Sequence, residues 1–459
     1  MVKIAILGYG VVGSGIVQVL NLNRFHIEKK AGCAFAVKYV LDKRDVSSEL
    51  NSLGTGSSDT ASSDRGSSDT ASSDRESSDT GDSNTEASKI LYTNDIETII
   101  SDKEVKIVAE VMGGVNPAYD FVKRALKSGK HVCTSNKELV ISHGAELLAL
   151  AKELNLNFMF EASVGGGIPV VRPINMALTP DEIVAVSGIL NGTSNYMLTQ
   201  MSNFGKSYDE ALKEAQDLGY AEKDPTADVG GFDAARKLAI LLSLSTGRQV
   251  DYEEILTEGI TNIKQADFAF ARAFGFSLKP MADGRLSQGG VSALSAPMLV
   301  HHSEPIFAVS GVYNGVIVQA KATGNCMFYG QGAGQYPTAG AVISDIVDIS
   351  KHLHRHVSFS WSTDKNTVLP YSSYVTRKMV RISYNDSDDI KIKTNKKKIR
   401  EIAGESPIKE LPGYPGQAAW LTPKETEEET KAALENLKAA KGIKILGTLR
   451  VYEPVEDQL

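Results

Sequence analysis

The first thirteen residues narrow the fold more than any other stretch. Val2 to Leu7 is a short apolar run of the kind a buried strand needs, and Gly8-Tyr9-Gly10-Val11-Val12-Gly13 follows at once, ahead of a helical pattern. A G-x-G-x-x-G spacing alone is weak. Between a strand and a helix it is the dinucleotide-binding fingerprint. Its glycines permit a tight turn and let the backbone approach a pyrophosphate, while the helix N-terminus offers unpaired N–H groups to the anion. Gly8, Gly10, Val11, Val12 and Gly13 are therefore expected to hold a dinucleotide; a merely structural Gly-rich turn is the alternative.

Alternation continues downstream. A second strand over 35–41 ends at Asp42-Lys43-Arg44. An acid there accepts a ribose 2′-hydroxyl and favours NAD, whereas an adjacent cation holds a 2′-phosphate and favours NADP. Both types are present, so the choice stays open, with Lys43 and Arg44 inclining it to NADP. Residues 47–88 stand apart: SSDTASSDRG, SSDTASSDRE and SSDTGDSN form a degenerate ten-residue repeat from Ser57, Ser67 and Ser77, with no large apolar residue to bury. The expectation is a disordered acidic insertion, tolerable because loop closure entropy grows only logarithmically. From Ile90 the pattern resumes with a helix over 95–101, a buried strand over 105–112, a helix over 117–128, a strand over 131–135, a helix over 139–154 and a strand over 157–160. Gly113-Gly114 and Ser135-Asn136-Lys137 fall at carboxyl ends of strands, where ligands dock in open α/β sheets. The order predicts a parallel doubly wound sheet.

Size and charge exclude several classes. A chain of 459 residues has room for two or three domains, and its 42% hydrophobic and 23% charged content is that of a globular protein. The net charge of −7 gives no reason to expect nucleic acid or an anionic membrane as partner. Cys33, Cys133 and Cys326 are too few and too scattered for a disulfide framework or zinc knuckle. With no signal-like N-terminus and no apolar run near the ~20 residues of a membrane helix, a cytoplasmic location is expected.

The second half turns to an α+β pattern, with helices near 194–203, 208–217 and 231–246 and strands over 183–190 and near 306–310 and 316–321. Its densest chemistry is AQDLGYAEKDPTADVGGFDAARK, 215–237. A Gly-Tyr turn leads into a loop bearing Glu222, Asp224 and Asp228. A helix then carries Asp233 and Lys237 four apart and continues as LAILLSLSTG, apolar all round and so expected to be buried. A buried lysine must pair or be held in a site that uses it; an ordinary i,i+4 pair on a solvated helix is the bland alternative. The Gly-rich segment 328–346 enters a helix at Pro337, which a capping turn explains equally well. His352, His354 and His356 follow a helix, where their spacing scatters them, so no metal site is expected there. The tail, 377–459, has a strand over 379–384, a Lys-rich stretch and then β-α-β around a helix over 424–440.

Ala215-x-x-x-Gly219-Tyr220-Ala221, Asp224-Pro225-x-x-Asp228-Val229-x-Gly231-x-Asp233 and Lys237 resemble the homoserine dehydrogenase motif nearly position for position. EVMGG, HVCTSNKEL and EASVGGGIPVV resemble further segments of that family, and the likeness spans most of 1–46 and 90–355. It implies a Rossmann-type domain over 1–165, an inserted α+β substrate and dimerisation domain over 166–325, a return to the nucleotide domain over 326–370 and an ACT-like module over 377–459, matched only in its second half. The implied reaction is reversible reduction of L-aspartate 4-semialdehyde to L-homoserine with NAD(P), in a homodimer serving threonine, methionine and isoleucine biosynthesis. By resemblance Lys237 transfers the proton, Lys137 shares that role, Asp233 orients Lys237, and Glu222 and Asp228 hold the substrate ammonium. Gly113, Ser135, Lys137 and Gly332 lie toward the cofactor. Glu161 with the carbonyls of Val164, Gly166 and Ile168 resembles a structural sodium site, a helix-capping role for Glu161 being the alternative. Two rivals are a semialdehyde dehydrogenase using Cys133 as a thioester nucleophile and a sensor without turnover.

Overall fold

The computed structural model describes residues 1–53, 89–357, 359, 361–384, 396, 397, 399–401, 403–438 and 442–455. In it the first half of the chain forms one six-stranded parallel sheet, in the spatial order Leu91–Thr93, Phe35–Leu41, Val2–Leu7, Val105–Glu110, His131–Thr134, Phe158–Met159. Ile4, Ala5, Ile6 and Leu7 are all fully buried, because helices cover both faces and leave no polar side for alternation. The order reverses at Val2–Leu7, which opens a crevice at the carboxyl ends of the strands. Helix Val11–Leu22 starts there. The much later helix Gln335–Lys351 returns to pack on it, so closely that a Cβ on Gly15 would stand 3.0 Å from the Gln335 carbonyl oxygen.

The second half builds a larger sheet. Its strands run Gly324–Gln331, Tyr313–Ala320, Ile183–Ile189, Phe276–Ser287, Gly290–His301, Lys444–Val451, Lys378–Ser383, Gln417–Leu421, Lys409–Glu410. At its centre Phe276–Ser287 and Gly290–His301 form an unbroken antiparallel hairpin from Phe276 opposite His301 to Ser287 opposite Gly290. These strands are absent from the sequence reading, because both faces are largely buried and small residues and prolines blur the alternation. The strand expected near 306–310 is instead a 3-10 turn, Pro305–Ala308, whose first position suits a residue with no N–H. The C-terminal strands continue this sheet: Lys444–Val451 pairs parallel with Gly290–His301 at Met298 and Leu299. Helix Glu427–Lys438 supplies the α element expected in the tail.

Another boundary moves. The insertion expected from residue 47 begins later, since Ser47–Leu53 is a helix with Leu50 buried. The Ser/Asp repeat itself lies outside the described residues. No described helix is long and apolar enough to cross a membrane.

Lys279 is a strained choice inside the large sheet. It is buried, and its Nζ donates to the Val309 carbonyl with no carboxylate in salt-bridge range among the described residues. Burial pushes its pKa down from 10.5 to about 8. The unfolded chain therefore binds more protons between those values, so this lysine makes stability rise as pH climbs through that window. Lys279→Met should raise thermal stability at pH 7 by about 1–3 kcal/mol, and the gain should fade toward pH 10. Melting curves at both pH values check this.

Candidate active site

The 215–237 motif becomes geometry in three steps. Gly219, at φ +74°, ends helix Tyr208–Asp217, and the N–H groups of Tyr220 and Ala221 close back on the buried Ala215 carbonyl at 2.8 and 3.1 Å. Asp224 then accepts from the Thr226 N–H and hydroxyl, starting the short turn Thr226–Val229, so its role is local. Gly231, at φ +85°, is the entry to helix Phe232–Thr246, where a side chain would meet the Glu258 carbonyl and the Ser295 hydroxyl. That entry buries Asp233 on the helix's first turn.

Around Asp233 three segments converge. Lys237 Nζ lies 2.7 Å from Asp233 Oδ2 and donates to the Leu190 carbonyl at 2.9 Å. Lys137 Nζ stands 3.3 Å from Asp233 Oδ1. Asn191 Nδ2 donates both to Asp233 at 2.9 Å and to Asp228 at 2.7 Å. Asn191's other amide atom caps helix Gly192–Phe204 by accepting from the Ser194 N–H, which fixes the direction of the bridge. Burial alone would raise the Asp233 pKa, but the charges of Lys237 and Lys137 more than offset it and hold the carboxyl below its usual range. Asp228 moves the other way: burial first, then the Asp233 charge, raise it from 3.8.

Lys137 reaches this cluster from the crevice of the parallel sheet. It opens helix Lys137–Glu153, capped by Asn136, whose amide also donates to the Gly114 carbonyl at 2.6 Å. The fully buried Glu110 accepts from Thr134 Oγ1 and from the Met112 N–H, tying adjacent strand ends together. Ser135 donates its N–H to the Glu110 carbonyl on the same edge, beside Gly113 in the left-handed region. At the fingerprint, Gly8 has φ +98° and a Cβ on Gly13 would stand 2.1 Å from the Gly8 oxygen, so only glycine fits. Gly10 caps the helix without a side chain, leaving the N–H groups around Val11 and Val12 for an anion. Gly332 approaches from the return segment: a Cβ on Gly166 would be 2.5 Å from its carbonyl, and a Cβ on Gly332 itself 2.1 Å from the Asn314 amide. The geometry joins a dinucleotide crevice to a buried aspartate flanked by two half-buried lysines.

The sequence pattern of homoserine dehydrogenase matches residues 169–347, and that of the homoserine dehydrogenase NAD binding domain matches residues 8–161. Homoserine dehydrogenase of Bacillus subtilis is 36% identical over 357 residues, covering 78% of this chain and 75% of the relative. That of Synechocystis sp. is 37% identical over 373 residues, covering 80% and 76%. The crystal structure of a homoserine dehydrogenase from Thiobacillus denitrificans superposes with a TM-score of 0.82 at 29% identity, over 98% of both chains.

The chain belongs to the homoserine dehydrogenase family.

As a homoserine dehydrogenase it is an oxidoreductase with a nicotinamide-dinucleotide domain. Two sequence-derived assignments fare differently in the geometry. Glu222 is exposed, with its backbone carbonyl accepting from Gln216, and its carboxylate makes no hydrogen bond among the described residues, so it is not brought onto the cluster. Lys43 is exposed, whereas Arg44 is drawn over the fingerprint, donating to the Tyr9 carbonyl at 3.0 Å. Asp42 spends one carboxylate oxygen on the Tyr9 N–H and the other on the Arg44 N–H.

Glu161 is buried, and its carboxylate accepts from the N–H groups of Val170, Val171 and Arg172. This is the capping role. The carbonyls of Val164, Gly166 and Ile168 accept no hydrogen bond among the described residues, and uncharged oxygens of this kind suit a hard cation. Cys133 is fully buried, and burial raises its thiol well above 9.0, which disfavours the thiolate that a thioester mechanism needs. His352 Nδ1 and His356 Nδ1 sit against the carbonyls of Asp348 and Leu156, serving helix and loop closure.

Asn191 and Glu110 were not singled out from sequence. The available signal for Asn191 was an Asn directly after a strand and before a helix, an N-cap signature that says nothing about its second amide hydrogen. Asn191→Ser keeps a capping oxygen and deletes the bridge, so Asp228 loses a partner that lowers its pKa. On the expectation that Asp228 holds the substrate ammonium, which only its anion can do, kcat/KM for homoserine should fall as pH drops through the Asp228 pKa, with that limb displaced to higher pH in the variant. Rate profiles that start below the ordinary carboxylate range and run to neutral pH read this directly.

Proposed function

We propose that this homoserine dehydrogenase interconverts L-homoserine and L-aspartate 4-semialdehyde, with Lys237 moving the proton at the substrate oxygen. The observation that carries this is the double tether on Lys237 Nζ: Asp233 and the Leu190 carbonyl take two of its donors. An ammonium has three, so one remains for a substrate oxygen. In the reducing direction Lys237 donates to the developing alkoxide; in the oxidising direction its neutral amine accepts the hydroxyl proton. Asp233, held as an anion, keeps Lys237 aimed, and Lys137 on the opposite oxygen balances the charge and stands ready to share the substrate contact. The nicotinamide, when bound, supplies or accepts the hydride. Asp228 receives the substrate ammonium, supported by its place beside Asn191 and Asp233; Glu222 takes the same role on the strength of the family motif alone.

For the cofactor, the place of Arg44 against the fingerprint supports NADP, since its guanidinium is poised for a 2′-phosphate. A structural sodium ion would rest on the carbonyls of Val164, Gly166 and Ile168 beside Glu161, and no catalytic step needs it. The homodimer, the cytoplasmic location and the place in threonine, methionine and isoleucine biosynthesis follow from the family resemblance.

With L-homoserine, Lys237→Ala should lower the rate of cofactor reduction by roughly 10²–10⁴-fold while circular dichroism stays unchanged. Absence of turnover by the unaltered enzyme with NADP⁺ and NAD⁺, in both directions and with sodium present, would remove the reading. Separately, Arg44→Ala should raise the KM for NADP⁺ by roughly 10–100-fold, the worth of a charged hydrogen bond, and leave that for NAD⁺ nearly unchanged.

A further inference from the structure

An ionic network, buried except at Glu258, lies outside the proton-transfer cluster. Arg450, on the C-terminal strand, is buried and grips Glu258 with two nitrogens at 2.6 and 3.0 Å. Its Nε donates to Glu427 at 2.7 Å, and Lys378 Nζ donates to the same glutamate at 2.9 Å. Two cations thus balance two anions, and the forked Arg450–Glu258 pair is the geometry that resists displacement best. No step of the proposed proton transfer uses this network.

Glu258 leads to the substrate loop. Its N–H donates to the Ser295 carbonyl at 2.8 Å, and Ser295 Oγ donates to the Gly231 carbonyl at 3.0 Å. Gly259 lies flush on the turn, where a Cβ would be 2.5 Å from the Val229 oxygen, and the Ile260 N–H donates to that same oxygen at 2.9 Å. The turn held in this way carries Asp228 and opens the helix that bears Asp233. Glu258, Asp228, Asn191 and Gly231 line one small cavity.

We infer that Glu258, clamped by Arg450, is a positioning residue that sets the aim of Asp228, so that the C-terminal strand tunes substrate affinity through this contact. The inference rests on Asp228 as the amine-binding acid for its kinetic consequence, but the mechanical link from Glu258 to the 228–231 turn stands independently of the substrate.

Glu258→Gln is the test variant. The Glu258 side chain is 44% exposed, so neutralising it spares the buried Arg450–Glu427 pair and the fold. Hydrogen exchange of the 226–232 backbone should quicken while that of the 105–110 strand does not change. The KM for homoserine should rise roughly three- to tenfold, with kcat and the cofactor KM within about twofold of the unaltered enzyme, and Glu258→Asp should restore part of the loss. Unchanged exchange in 226–232 overturns the inference, whether or not homoserine is turned over. So does a uniform loss of kcat and both KM values that tracks a lowered melting temperature, which is what mere structural support would produce. If exchange quickens and the unaltered enzyme turns over homoserine yet its KM does not move, the link is real but the tuning claim falls.

Discussion

An ionised carboxylate sealed inside a protein costs several kcal/mol unless cations and hydrogen bonds surround it. Asp233 is such a group, and the requirement to compensate it organises the site. Lys237 comes from the same helix, Asn191 from the end of a strand in the large sheet, and Lys137 from the crevice of the parallel sheet. Each partner is there for electrostatic reasons, and the result is that the dinucleotide crevice and the substrate loop share one anion. In the proposed proton transfer, charge compensation and catalytic assembly are the same event. The converse is seen at Asp228, which has Asn191 but no lysine in salt-bridge range among the described residues and so resists ionising more than an ordinary carboxylate. A ligand ammonium would relieve that.

Close backbone approach is the second constraint. The fingerprint turn leaves no volume at Gly13, the loop after Glu161 leaves none at Gly166, and the return segment leaves none at Gly332. Through the last two, the chain that departs after the parallel sheet and the chain that comes back to it touch backbone to backbone. Helix Gln335–Lys351 then lies along helix Val11–Leu22, with Gln335 bonded to Ser14 and Tyr336 to Gln18. The dinucleotide crevice is thereby walled by segments more than three hundred residues apart in the chain.

Much of this was readable in advance. Helices 208–217 and 232–246, the strand–helix alternation of the first half and the fingerprint all depend on local signals: period, caps and glycines whose role is set by neighbours a few residues away. The Asp233–Lys237 pair belongs with these, since four residues on a helix is one turn. The long hairpin 276–301 did not show, because burial on both faces removes the alternation that marks a strand. Residues 306–310 read as a strand in sequence for the related reason that a short apolar run has no distinguishing period, whereas Pro305–Ala308 forms a 3-10 turn.

The residues alone determined the chemistry available: a glycine fingerprint, an acidic loop, a lysine on an apolar helix. Tertiary structure decided which of these groups meet. Asn191 became a bridge between two aspartates and Glu222 was left outside the cluster, neither of which spacing along the chain records. The physical reason is range. Hydrogen bonds and charge pairs act over a few ångströms, so a group's partners depend on where distant segments pack, and only burial against the two sheets fixes that.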